Sequence, residues 1–229
     1  MKHVWIVLLA ALLVLTAVGC KKKAEVVVDL PADGNKAGGW SVADDPTVTE
    51  ARKAIFDKGM VVSSNQYTAV AYLASQVVAG TNHAFLCQSV DPMGYALAFF
   101  YEDLKGEVKL MNVTPLGIVP QEDGTAKEPV EGLMGGWSYA QDPAVTDEMK
   151  ARLTKALEGM VGATYVPVAN LGEQVVAGLN RCLLCRLTPV IPNAQSKYAL
   201  VYVYEDLQGG ASLSKVIDLD VGSFCVYGA

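Results

Sequence analysis

Cys182-Leu183-Leu184-Cys185 has the Cys-x-x-Cys spacing that holds zinc or forms a redox pair when it sits in a turn or at a helix start. Here the four residues lie in a β-type run, where side chains three apart point to opposite faces. The two thiols therefore neither chelate one ion nor bridge each other. Cys185 has a counterpart in Cys87 and reads as core, whereas Cys182 faces the other way, with Cys225 as a candidate partner. Once a leader carrying His3 is removed, His83 is the remaining histidine. Two equivalent histidine-dependent catalytic sites are then impossible, and no Gly-x-Ser-x-Gly, phosphate loop or paired-histidine motif accompanies it. Glu102-Asp103 and Glu205-Asp206 have the composition of an acid–base pair, but each precedes a turn and is expected to be solvated. No catalytic residue, metal or cofactor is expected, and the chain does not read as an enzyme.

The elements that would position any site come from an internal repeat. Gly38-Gly39-Trp40-Ser41 with Asp45-Pro46 recurs, 97 residues on, as Gly135-Gly136-Trp137-Ser138 with Asp142-Pro143. Gln76-Val77-Val78-Ala79-Gly80 recurs as Gln174-Val175-Val176-Ala177-Gly178, and Tyr101-Glu102-Asp103-Leu104 as Tyr204-Glu205-Asp206-Leu207. In the second unit Val145, Met149, Leu153, Ala156, Leu157 and Met160 follow helical spacing after Asp142-Pro143 as cap and first turn. Val48, Ala51 and Ile55 predict a shorter, weaker helix in the first unit, ended by Gly59. The segments 67–78, 81–90, 95–102 and 108–113 are rich in β-branched and aromatic residues and are separated by Gly, Pro and Asp turns. Each unit thus reads as one helix with an antiparallel meander, an α+β plan.

The N-terminus reads as a leader: Lys2 and His3 precede an apolar run from Val4 to Val18 that is shorter than the roughly 20 residues of a membrane-spanning helix. Leu15 to Cys20 resembles the lipobox of bacterial lipoproteins, with Ala17 where that pattern prefers Leu. The resemblance implies cleavage before Cys20, lipid on its thiol, and a protein secreted across the inner membrane and anchored to the cell envelope. Ordinary secretion is the alternative. Loss of Lys2 takes the formal charge from −6 to −7, and without a basic stripe beyond Lys21 to Lys23 nucleic acid is excluded as a partner. The expected organisation is a signal peptide over 1–19, a tether over 20–37, a first domain over 38–117, a linker over 118–134 and a second domain over 135–229. Val26 to Leu30 reads either as part of the tether or as an extra edge strand.

Val77-Val78-Ala79-Gly80 stands at a hairpin apex where polar turn residues are the rule. Apolar apices imply contact with a partner, unless the residues continue a buried strand. The second copy is identical although its neighbours have diverged. Gln-Val-Val-Ala-Gly, with Gly-Gly ahead of a helix, resembles the cystatin family, and Gly38-Gly39-Trp40-Ser41 with Thr81-Asn82 after the loop is most similar to its stefin branch. The resemblance implies two tandem cystatin-like domains, each one helix packed on an antiparallel β-meander.

It also implies three contact elements per unit: a trunk at Gly38-Gly39 and at Gly135-Gly136, a first loop at Gln76 to Gly80 and at Gln174 to Gly178, and a second loop at Leu104 to Gly106 and at Leu207 to Gly210, including Gly209. Leu133 and Met134 precede the second Gly-Gly and suit an apolar pocket, where Lys36-Ala37 precede the first. The implied activity is non-covalent occlusion of papain-type cysteine proteases. The implied partners are those proteases and a membrane reached through lipid on Cys20. A non-inhibitory binding or adhesion module on the same scaffold is the alternative.

Overall fold

The computed structural model describes residues 38–61, 63 and 66–227. The leader, Cys20, the tether and Lys36-Ala37 lie outside the described residues. Strand β1 (Trp40–Val42) leads to helix α1 (Glu50–Met60) and then to β2 (Tyr67–Val78), β3 (Gly80–Val90), β4 (Met93–Glu102) and β5 (Val108–Pro115). A small hairpin follows, β6 (Val119–Pro120) with β7 (Ala126–Lys127). The second repeat runs β8 (Trp137–Tyr139), α2 (Asp147–Ala156), β9 (Ala163–Val176), β10 (Gly178–Pro189), β11 (Lys197–Glu205) and β12 (Ala211–Leu219), ending in a 3-10 turn over Val221–Phe224. The repeats form two five-stranded antiparallel sheets, ordered β1-β2-β3-β4-β5 and β12-β11-β10-β9-β8.

Both helices start on a threonine: Thr49 accepts from the Arg52 amide and Thr146 from the Met149 amide, satisfying a free N–H of the first turn. Asp142, expected as the cap of the second helix, instead braces the loop before it by accepting from the Ala144 amide at 2.9 Å, and Asp45 does the same in the first repeat by accepting from the Thr47 amide at 2.9 Å. The first helix is not the shorter one, at 11 residues against 10, although it is the less amphipathic of the two. Gly59 lies one residue before its end, and glycine is needed there because a Cβ would overlap the Phe100 ring.

The expected fold class is corrected. The architecture is mostly antiparallel β, two helices on three sheets, rather than two tandem helix-on-meander domains. Each sheet is buried on both faces. On one face Phe56 and Met60 of α1 pack on Tyr72, Phe85 and Phe100, and Leu153 of α2 packs on Leu183, Val201 and Val203. The opposite faces meet each other: Leu73, Leu86, Leu97 and Phe99 of the first sheet share one core with Leu171, Leu184, Leu200 and Tyr202 of the second. A helix covers one face of a sheet only, so the second apolar face needs another cover, and each repeat supplies it for the other. All the described residues fall in one compact unit.

The segment expected as a linker over 118–134 is packed down at its start. Ile118 is fully buried and Leu116 nearly so, both in the shared core. The strap after β5 crosses onto the second sheet, where the Tyr139 hydroxyl donates to the Leu116 carbonyl at 2.8 Å and Lys215 donates to the Gln121 carbonyl. The segment after β12 crosses in return, Asn112 donating to the Phe224 carbonyl at 2.9 Å and accepting from the Val226 amide at 2.9 Å. Among the described residues no helix is long and apolar enough to cross a membrane.

Candidate functional site

Register brings the separated sequence segments to one end of each sheet. In the first, Val78 pairs with Gly80 across a one-residue apex at Ala79, Thr81 pairs with Glu102, and Glu102 pairs with Val108, so the β2–β3 apex and the β4–β5 turn emerge side by side. Trp40 pairs with Gln76, which sets Gly38-Gly39 on the other flank. The second sheet repeats this with Gly178 opposite Val176, Leu179 opposite Glu205 and Trp137 opposite Gln174. We call these ends the first and second tips.

Each tip is built by the same side chains. Gln76 Nε2 donates to the Gly38 carbonyl at 2.6 Å while its Oε1 accepts from Asn82 Nδ2 at 2.6 Å; Gln174 makes the matching bonds to the Gly135 carbonyl at 2.9 Å and from Asn180 at 2.8 Å. The glutamine therefore ties the Gly-Gly segment to the hairpin. Tyr101 donates to the Ala79 carbonyl at 2.5 Å and Tyr204 to the Ala177 carbonyl at 2.6 Å, pinning each apex. Gly80 and Gly178 have φ of +134° and +131°, and a Cβ would stand 2.8 and 2.9 Å from the ring of that same tyrosine. Only glycine suits this position.

The apolar residues of the tips face solvent: Val77 is 54% and Val175 67% exposed, and Leu104 and Leu207 stand out at 87% and 79%. Val78, Val176, Ala79 and Ala177 are exposed as well, so the buried-strand reading of the apex fails. The second turns are held by aspartates. Asp103 accepts from the Lys105 and Glu107 amides, and Asp206 from the Gln208 and Gly210 amides. These backbone donors, led by Glu107 and Gly210, hold both carboxyls below the ordinary range. Gly106 and Gly209 take the positive φ of the same turns. Leu133 and Met134 are exposed at the second tip in a turn closed by the Gly136 amide on the Leu133 carbonyl at 2.9 Å.

The glutamates, expected to be solvated, are instead partly buried and paired. Glu102 Oε2 lies 3.1 Å from His83 Nε2, and Glu205 is bound by Arg181 at 3.0 Å with Arg152 at 3.8 Å. His83 is buried, its Nδ1 bonded to the Tyr72 hydroxyl at 2.9 Å; burial lowers its pKa and the Glu102 contact opposes that. With both ring nitrogens engaged, it serves as a strut. The Cys-x-x-Cys residues part as strand alternation requires, Cys182 into the inter-sheet core and Cys185 into the core beneath α2. Cys182 and Cys225 share a core cluster, yet both thiols are free, which corrects the suggested pairing. Burial pushes the thiols of Cys87 and Cys182 up to about 12, so neither is a nucleophile near neutral pH. Among the described residues no group of His, Cys, Asp and Glu is arranged to hold a metal ion.

Sequence reasoning missed Tyr101, Tyr204, Asn82 and Asn180. Their signal was present, since each recurs in the repeat. Tyr227 was also missed: its hydroxyl donates to Gln76 Oε1 at 2.9 Å across 151 positions, and nothing local in the sequence announces it.

No protein-family model matches the chain, and no curated protein matches it.

Proposed function

We propose that the protein is a non-covalent inhibitor of papain-type cysteine proteases and acts by filling the substrate cleft. The observation that carries this reading is the convergence, at each tip, of the Gly-Gly segment, the Val-Val-Ala-Gly apex and the Leu-bearing second turn, although they are far apart in sequence. A cleft shaped for an extended peptide accepts a row of backbone and small apolar side chains. The tips present such a row, and the tyrosine and glutamine bonds hold it in shape before contact, which limits the ordering cost of binding. Burying an exposed valine fully is worth roughly 1.5–3 kcal/mol, so the valines and leucines of one tip supply several kilocalories. The protein is proposed to have no catalytic role of its own and to need no cofactor. The cystatin resemblance and export with a lipid on Cys20, which would display the inhibitor on the cell envelope, belong to the same proposal.

The test is titration of papain activity with the fragment from Lys21 to Ala229. Stoichiometric loss of activity at nanomolar to micromolar concentration is expected. Full activity at micromolar inhibitor refutes the reading, and binding without inhibition points to a binding module instead.

A further inference from the structure

The two sheets pack head to tail. Trp40, at the first tip, lines one pocket with Ser196, Lys197 and Gly222 from the end of the second sheet remote from its own tip. Reciprocally Pro92 and Met93, in the turn at the remote end of the first sheet, line a groove of about 760 Å³ with Gly136, Trp137 and Val175 of the second tip. Equivalent contacts occur in both directions: Gln88 of β3 donates to the Gln141 carbonyl at 2.9 Å, and Arg186 at the matching place in β10 binds Asp44 at 3.3 Å. The straps cross both ways too, with Phe224 on Asn112 and Gln121 on Lys215. Paired reciprocal contacts of this kind define an approximate two-fold axis across the strands, and such an axis sends the tips in opposite directions.

We infer that the molecule is a rigid, two-ended binder that holds two protease molecules at once, one beyond each end of the sheet pair. This rests on the function proposed above and adds the partner arrangement. The tips lie about one strand length apart, roughly 40 Å for 12 residues at ~3.3 Å each. Two bodies docked beyond opposite ends do not meet, so neither excludes the other, and the shared core replaces a hinged linker as the reason that both ends are available.

The experiment uses the chain from Lys21 to Ala229 with papain in excess, followed by light scattering for mass and small-angle scattering for shape. Val77→Asp with Val78→Asp silences the first tip, and Val175→Asp with Val176→Asp the second; all four side chains are exposed, and circular dichroism checks folding. The expected result is two enzymes per wild-type chain in an elongated particle with lobes at both ends, and one enzyme per chain for each double variant. One enzyme per wild-type chain, whether because the tips exclude each other or because one is silent, overturns the inference while leaving inhibition in place. Two enzymes bound side by side in a compact particle overturns it as well. Absence of any complex refutes the proposed function itself, a separate outcome.

Discussion

Replacing Gly80 by Ala tests the geometry of the apex most directly. The backbone there has φ of +134°, and holding a residue with a side chain in such a sparsely populated region costs about 1–3 kcal/mol. The new Cβ would stand 2.8 Å from Tyr101 Cε2, so the ring must move and give up its bond to the Ala79 carbonyl, a loss of about 0.5–1.5 kcal/mol. The sum is about 1.5–4.5 kcal/mol if the apex keeps its shape and less if it relaxes. For a domain of this size each kilocalorie moves the melting temperature by about 2–4 °C. Gly178→Ala, at φ of +131° with Tyr204 at 2.9 Å, repeats the measurement within the same molecule and is expected to match it. Tyr101→Ala clears the ring but not the Glu102 carbonyl oxygen, which the new Cβ would overlap, so adding Gly80→Ala in that background is expected to cost less than in the wild type while keeping the backbone strain and that backbone contact. Thermal denaturation gives the stability, and papain inhibition with the other tip silenced gives the effect on binding. If Gly80→Ala leaves the melting temperature within a degree, or the Tyr101→Ala background makes no difference, the pinned apex is wrong. The larger Gly80→Glu and Gly178→Glu changes are unsuitable as surface probes for the same reason.

The shared core predicts one cooperative unfolding transition for the whole unit, with Phe99→Ala lowering it by about 3–5 kcal/mol; two separate calorimetric transitions would contradict it. Residues 38–134 and 135–229 made separately each expose an apolar sheet face and are expected to aggregate or stay unfolded, read by circular dichroism and sedimentation. Leu133→Ala with Met134→Ala in a chain whose first tip is silenced is expected to raise the inhibition constant about tenfold, or about 1.4 kcal/mol, and an unmoved constant would show that the segment does not touch the enzyme. Burial holds the His83 pKa below its ordinary 6.5, so between that value and the lower folded one the unfolded chain binds more protons. Stability is then complete above pH 6.5 and declines as the pH falls below it; His83→Gln is expected to flatten that slope in melting curves between pH 7 and pH 5, and an identical slope would assign it to other groups.

Local structure was largely legible from residue types. The 67–78 segment and β2 coincide because β-branched and aromatic residues stop at a glycine that only a tight apex accommodates. The repeat likewise located both tips, because identical residues in identical local settings fold identically. What the sequence also contained, and the reading of one helix with an antiparallel meander passed over, was the unbroken apolar and aromatic runs Tyr95 to Phe100 and Tyr198 to Val203, all buried in the structure. A strand with one wet face alternates, whereas one covered on both faces is apolar throughout. That pattern requires a second cover but does not name it.

Only the tertiary structure decided that the cover is the other repeat, that the sheets lie head to tail, and that the segment after each last strand crosses to its neighbour. Hydrophobic burial is non-directional. Apolar faces on the two sheets therefore commit the chain to burying them without fixing the orientation, which depends on close fits such as Ile118 against Gly172 and Trp40 against Gly222. The bond from Tyr227 to Gln76 depends in turn on that packing, because no local periodicity relates residues 151 positions apart.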